Sequence, residues 1–225
     1  MNQPSRLLLT TAARRGLCLS AGWHVLLAAV FLLVWLKPGS LAAQDVKQLI
    51  GIMLVEFLVI HASPMLGGLL LGAGSRRDKG KAIAGLALLY GLLALGFALS
   101  LGSLWPLLVI AVMMAEKLSA LFAGQPDQTT RTEMQFFWGM SALWYLLSVM
   151  ITVFLPMPRL GITPAVIREQ AFATTGHWVS QPQSALAAGV LYFLLLALTC
   201  AVVAWRGYLN RPVQAVSPGH NNRPC

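Results

Sequence analysis

Apolar residues in this chain fall in long unbroken runs, and the short gaps between them gather nearly all the charged positions. The alternation of a half-buried strand does not recur, nor does the one-sided stripe of a surface helix. A run of about 20 apolar residues is the length of helix that crosses ~30 Å of hydrocarbon. Six such runs are read: Leu17–Leu36, Leu49–Gly72, Ala82–Leu101, Leu104–Ala123, Phe136–Leu155 and Ala185–Trp205. Only "GS" separates the third from the fourth, just before "LWP". The pair is too long for one crossing, which predicts a tight helical hairpin with Pro106 in the first turn of its second arm. The predicted fold is all-α, a polytopic integral membrane bundle of six transmembrane helices.

The flanks add three smaller expectations. Residues 1–16 form a basic N-terminus, and residues 206–225 form a flexible tail rich in Pro, Gly and Asn. The loop between the fifth and sixth runs contains "GITPAVIREQAF". Thr163 suits an N-cap and Pro164 a first helical position, so a short interfacial helix is expected over Pro164 to Thr174. On it, Ile167, Ala171 and Phe172 face the bilayer, and Arg168, Glu169 and Gln170 face water. A lid or partner platform ending in His177 and Trp178 is the alternative use of this loop.

Composition agrees with the pattern: 57% of residues are hydrophobic and 10% charged, where soluble domains carry about 25% charge. The net charge of +9 is not a nucleic-acid footprint, because the basic residues lie between the apolar runs. No nucleic-acid partner is expected; the lipid bilayer is.

The distribution of basic residues sets the orientation. With the N-terminus inside, twelve basic residues are internal: Arg6, Arg14, Arg15, Arg76, Arg77, Lys79, Lys81, Lys117, Arg131, Arg206, Arg211 and Arg223. Lys37, Lys47, Arg159 and Arg168 lie outside. The excess places both termini in the cytoplasm of a bacterial-type inner membrane. The first run exceeds the ~7–15 apolar residues of a signal-peptide core, so it is read as a retained span. Trp23, Trp35, Trp105, Trp138 and Trp205 fall near span ends, where indole rings are favoured.

Two sets of small residues predict close helix packing. Ala87, Gly91, Ala94, Ala98 and Gly102 share one face of the third run, and Gly68 and Gly72 form a G-x-x-x-G pair in the second. A contact inside the bundle is the preferred use of Gly68, Gly72, Gly91 and Ala98; a homo-oligomer face is the other.

The chemistry concentrates in "VEFLVIHASPMLGG", Val55 to Gly68. An ionisable group inside a span costs at least ~2.5–3.5 kcal/mol, so it is expected to face protein or water and to have a partner. Glu56 and His61 are five residues apart, roughly 140° around the helix, and so look toward different neighbours. Pro64 is expected to kink this helix and open a polar space beside Ser63. His24 in the first run and Glu116 in the fourth lie within roughly 6–8 Å of His61 in depth. Glu56, His61, His24 and Glu116 are therefore the candidate intramembrane polar core, provided those three spans adjoin.

Three uses of such a core compete. A structural or accessory membrane component locks its helices with these groups. A transporter passes a small solute or proton along them. A haem or metal site uses His24 and His61, although no H-x-x-x-H or C-x-x-C-H spacing supports it. Cys18, Cys200 and Cys225 also lack metal-ligand spacing. The sequence contains no H-E-x-x-H, G-x-S-x-G or P-loop, so no catalytic residue and no cofactor is assigned. The accessory role, beside another membrane protein or a further copy, is the leading expectation.

Overall fold

The computed structural model describes residues 6–8, 11–72, 75–120, 128–170 and 175–210. Among the described residues eight helices follow in order: α1 (Thr11–Leu36), α2 (Asp45–Leu71), α3 (Arg76–Leu101), α4 (Trp105–Ala120), α5 (Gln128–Phe154), α6 (Pro164–Glu169), α7 (His177–Ser180) and α8 (Pro182–Arg206). Strands β1 (Arg6–Leu8) and β2 (Tyr208–Asn210) flank them and pair antiparallel, with Leu7 opposite Leu209.

Five helices, α1, α2, α3, α5 and α8, are long and apolar enough to cross a membrane. They mark the chain as a multi-pass membrane protein. Their outward residues agree: Leu19, Leu88, Leu99, Leu108 and Phe154 are all more than three-fifths exposed, a surface that suits lipid and not water. The run predicted at Leu104–Ala123 is the shorter helix α4. Its 16 residues span about 24 Å at 1.5 Å per residue. Positions 121–123 of that run lie outside the described residues, as do positions 211–225 of the predicted tail.

Local signals explain the helix ends. Ser75 caps α3 by accepting the Asp78 N–H at 3.2 Å, and its hydroxyl donates to the Asp78 carboxylate at 2.6 Å. Gly102 ends α3 at φ +67°, a left-handed conformation that glycine adopts without Cβ strain, and so makes the predicted hairpin into α4. Pro182 occupies the first turn of α8. Pro64 does not interrupt α2, which runs on to Leu71.

Helix α2 is the shared wall of two cores. On one side Phe31 of α1, Met53 of α2, Tyr145 of α5 and Tyr192 of α8 pack together. On the other, Leu58 and Leu66 of α2 meet Tyr90 and Ala94 of α3 and Ile110 of α4. The most extensive helix pairing is between α1 and α8.

Glycines allow the close approaches, though not those expected. A methyl on Gly189 would overlap the Phe31 ring, and one on Gly67 would overlap the Trp138 indole. At Gly68 and Gly91 a methyl would meet open space, and at Gly72 its nearest neighbour is the carbonyl of Gly68 in the same helix. Ala94 and Ala98 of α3 are buried. The expected role of Gly68, Gly72 and Gly91 inside the bundle is therefore corrected. Glycine spacing marks a smooth helix face, but which face a ring lies against depends on large residues elsewhere.

The loop before α8 seals one end of the bundle. Thr163 accepts the Val166 N–H and Pro164 follows it, as the sequence indicates. The helix ends at Glu169, and positions 171–174 of the expected longer helix lie outside the described residues. Gln170 does not face water. It is buried, its Oε1 accepts the Lys47 N–H at 3.1 Å, and its Nε2 donates to the Ala43 carbonyl at 3.2 Å. The amide thus satisfies two backbone groups at the start of α2 that no helix bond reaches. Trp35 adds a tie by donating its indole N–H to the Pro158 carbonyl at 3.0 Å.

Candidate functional site

Glu56 lies about three turns into α2, about 17 Å from its first residue. In that apolar setting its carboxyl needs a polar partner, and α8 supplies one. The Tyr192 hydroxyl donates to Glu56 Oε1 at 2.6 Å. Ser141 of α5 hydrogen-bonds the same tyrosine. One turn of α2 from Glu56, the Met53 carbonyl accepts the Tyr145 hydroxyl of α5 at 2.9 Å. The two tyrosine rings meet edge to face, with centroids 5.5 Å apart, an arrangement that aligns positive ring edge with negative ring face. Helices α5 and α8 thus converge on a single stretch of α2 through two phenols.

A groove of about 440 Å³ reaches Glu56 from the side. Gln48, Ile52, Val55, Glu56 and Val59 of α2 form one wall, and Trp105 and Val109 of α4 form the other. The Trp105 indole N–H donates to Gln48 Oε1 at 2.8 Å and bridges the two helices at one end. Apart from the carboxyl, the Gln48 amide and the indole N–H, the side chains around this groove are aliphatic.

The other candidates are elsewhere. His61 is exposed on the outer face of α2. Its Nδ1 donates to the Phe57 carbonyl of its own helix at 2.8 Å, and its ring lies 4.1 Å from the Phe57 ring. A carbonyl only accepts, so Nδ1 carries the proton. His61 therefore needs no partner from another span, which corrects its place in a shared core. His24 of α1 is half-buried, with Nε2 3.4 Å from the Ser20 hydroxyl and its ring stacked 6.1 Å from Phe193. Phe193 in turn packs against Tyr192, the partner of Glu56. The Glu116 side chain lies outside the described part of α4.

Glu56 and His61 therefore do not share one cavity. The five-residue spacing that turned Glu56 inward also turned His61 outward. Among the described residues no group of three His, Cys, Asp or Glu side chains is placed to hold a metal. His24 stacks on Phe193 of α8, whereas His61 bonds and packs on Phe57 of its own helix.

No family model matches the chain, and no curated protein or solved structure does either. The site must speak through its own geometry. Tyr145 and Tyr192 are the functional residues missed by sequence reasoning. Their signal was present: a phenol in the middle of an apolar run must find a hydrogen-bond partner when buried. Tyr192, moreover, directly precedes Phe193, and the two rings reach α2 and α1 respectively.

Proposed function

We propose that this chain is a non-catalytic structural or accessory component of a bacterial-type cytoplasmic membrane, with Glu56 acting as the bolt of its bundle. The observation that carries the reading is the 2.6 Å bond from Tyr192 to Glu56, made where α2, α5 and α8 meet. In hydrocarbon no water competes for the carboxyl, so it and the phenol satisfy each other and fix the register of the two helices. Such a scaffold serves a partner membrane protein or a further copy of itself.

The test is stability in detergent. Glu56→Gln keeps an acceptor oxygen and is expected to melt within a few degrees of wild type. Glu56→Leu leaves the Tyr192 hydroxyl without its acceptor, Tyr192→Phe takes a partner from both Glu56 and Ser141, and each is expected to cost about 1–3 kcal/mol. Wild-type melting of Glu56→Leu would remove the packing role.

The groove that admits Glu56 favours a second reading, passage of a small solute or proton along α2 and α4. In proteoliposomes this reading expects Glu56→Gln to abolish proton-linked flux while leaving the melting curve in place. The accessory reading expects no such flux from wild type.

The topology proposed with this function has six crossings, α4 included, and both ends in the cytoplasm. The pairing of β1 with β2 supports an even number, since it holds both ends of the described bundle on one side. The charge excess supports the direction. A reporter fused after Lys81 is expected to read cytoplasmic, and one inserted at Gln170 periplasmic. The same side for both would refute this topology.

A further inference from the structure

At the end of the bundle opposite the Gln170 strap, α1 and α8 enclose a second groove of about 860 Å³. Its floor is made of small side chains, among them Cys18, Ala21, Ala201 and Ala204, and Trp205 stands at its edge, 82% exposed. Arg14 and Arg15 form its rim. Arg14 Nε donates to the Ala204 carbonyl at 2.9 Å, which fixes its guanidinium over the last turn of α8. A guanidinium has five N–H donors, and this bond uses one. Arg15 is exposed.

The charge around this groove is one-sided. The first acidic side chain in the sequence is Asp45 and the last is Glu169. Helices α1 and α8 and strands β1 and β2 therefore contribute arginines to this end and no carboxylate side chain. An exposed indole beside them marks the depth of lipid headgroups.

We propose that this groove holds one anionic phospholipid, with its phosphate on Arg14 and Arg15 and an acyl chain along Cys18, Ala21 and Ala201. The volume falls in the ~300–1,000 Å³ range of ligand sites. Cationic pockets between membrane helices recognise anionic headgroups by the same pairing of phosphate with guanidinium. Charge disfavours the other occupants. A second copy brings the same arginines, and positions 211–225 of this chain carry Arg211 and Arg223 with no acidic side chain.

Native mass spectrometry of the full chain, released from nanodiscs of equal parts phosphatidylglycerol and phosphatidylcholine, tests this. Wild type is expected to retain one phosphatidylglycerol. Arg15→Gln leaves the Arg14 bond to α8 in place and is expected to weaken retention about fivefold, with a similar further factor for the Arg14→Gln/Arg15→Gln pair. Ala201→Phe fills the groove with both arginines present and is expected to abolish retention. Equal retention of the two lipids would overturn the proposal. So would wild-type retention by Arg15→Gln and Ala201→Phe, or a dimer that Ala201→Phe dissociates.

Discussion

Gly189→Leu is expected to separate α1 from α8 and to give the largest loss of stability of any single change in the bundle. Phe31 is fully buried, and its ring lies against Gly189 and 5.5 Å from Phe193. Even a methyl at position 189 would overlap Cδ1 and Cε1 of Phe31 and stand 2.8 Å from Cγ, where carbon atoms prefer about 3.5–4.0 Å. Overpacking of this kind costs about 1–3 kcal/mol for a methyl, and a leucine adds three further carbons. The ring cannot swing aside, because the same core holds Tyr192 and Leu186. Gly67→Ala is expected to cost less, since Trp138 is only half-buried and its indole can shift. Thermal unfolding in detergent measures both. Phe31→Ala combined with Gly189→Ala is the control: the second change should be tolerated once the ring is gone. Equal costs for Gly189→Ala with and without Phe31 would reject the contact as the cause.

The second large effect is expected at Asp45, which the sequence reading passed over. Its carboxylate is buried and accepts the backbone N–H of Gly39 at 2.9 and 3.0 Å, of Val46 at 2.8 Å and of Leu41 at 3.4 Å. It is also the first residue of α2, where an anion complements the free N–H groups of a helix start. Asp45→Ala strands these donors in a part-buried loop, at about 1–3 kcal/mol for each that water does not reach. A total near 3 kcal/mol is expected, together with faster proteolytic cutting between Lys37 and Gln44. Asp45→Asn keeps one acceptor oxygen and should lose about half as much. A protease-resistant Asp45→Ala variant with unchanged melting would show that the loop holds its shape by other means.

Much of the fold was legible because lipid imposes a single rule, an apolar helix of sufficient length. The six runs coincide with helices α1 to α5 and α8 over their described parts, save Gly72, Leu104 and Leu155 one residue beyond a helix end, and polar flanks such as Arg76–Lys81 lengthen a helix past its run. The hairpin at Gly102 and the Thr163–Pro164 start were readable for the same reason, since both rest on local backbone chemistry. The site was legible only at Glu56, whose burial cost announces itself from one residue. Its partner Tyr192 is 136 positions away, and a hydroxyl on an apolar run gives no hint of which helix it meets. His61 was misplaced because a histidine can close a bond to its own helix at i−4, which removes the need for a neighbour. Gln170 was misplaced for the opposite reason. Its helix is too short for an amphipathic pattern to decide its face, and the amide turns inward to bond the Lys47 N–H and the Ala43 carbonyl.

The close pairing of α1 with α8 has a consequence for biosynthesis. Helix α1, the first of the described helices, finds its principal partner only in α8, the last of them. At ~5–20 residues per second, the stretch from Leu36 to Pro182 takes roughly 7–30 s to translate. Through that interval Phe31 and His24 have no Phe193 beside them. Until α8 is made, the face of α1 that packs on Gly189 and Phe193 has no cover from that helix.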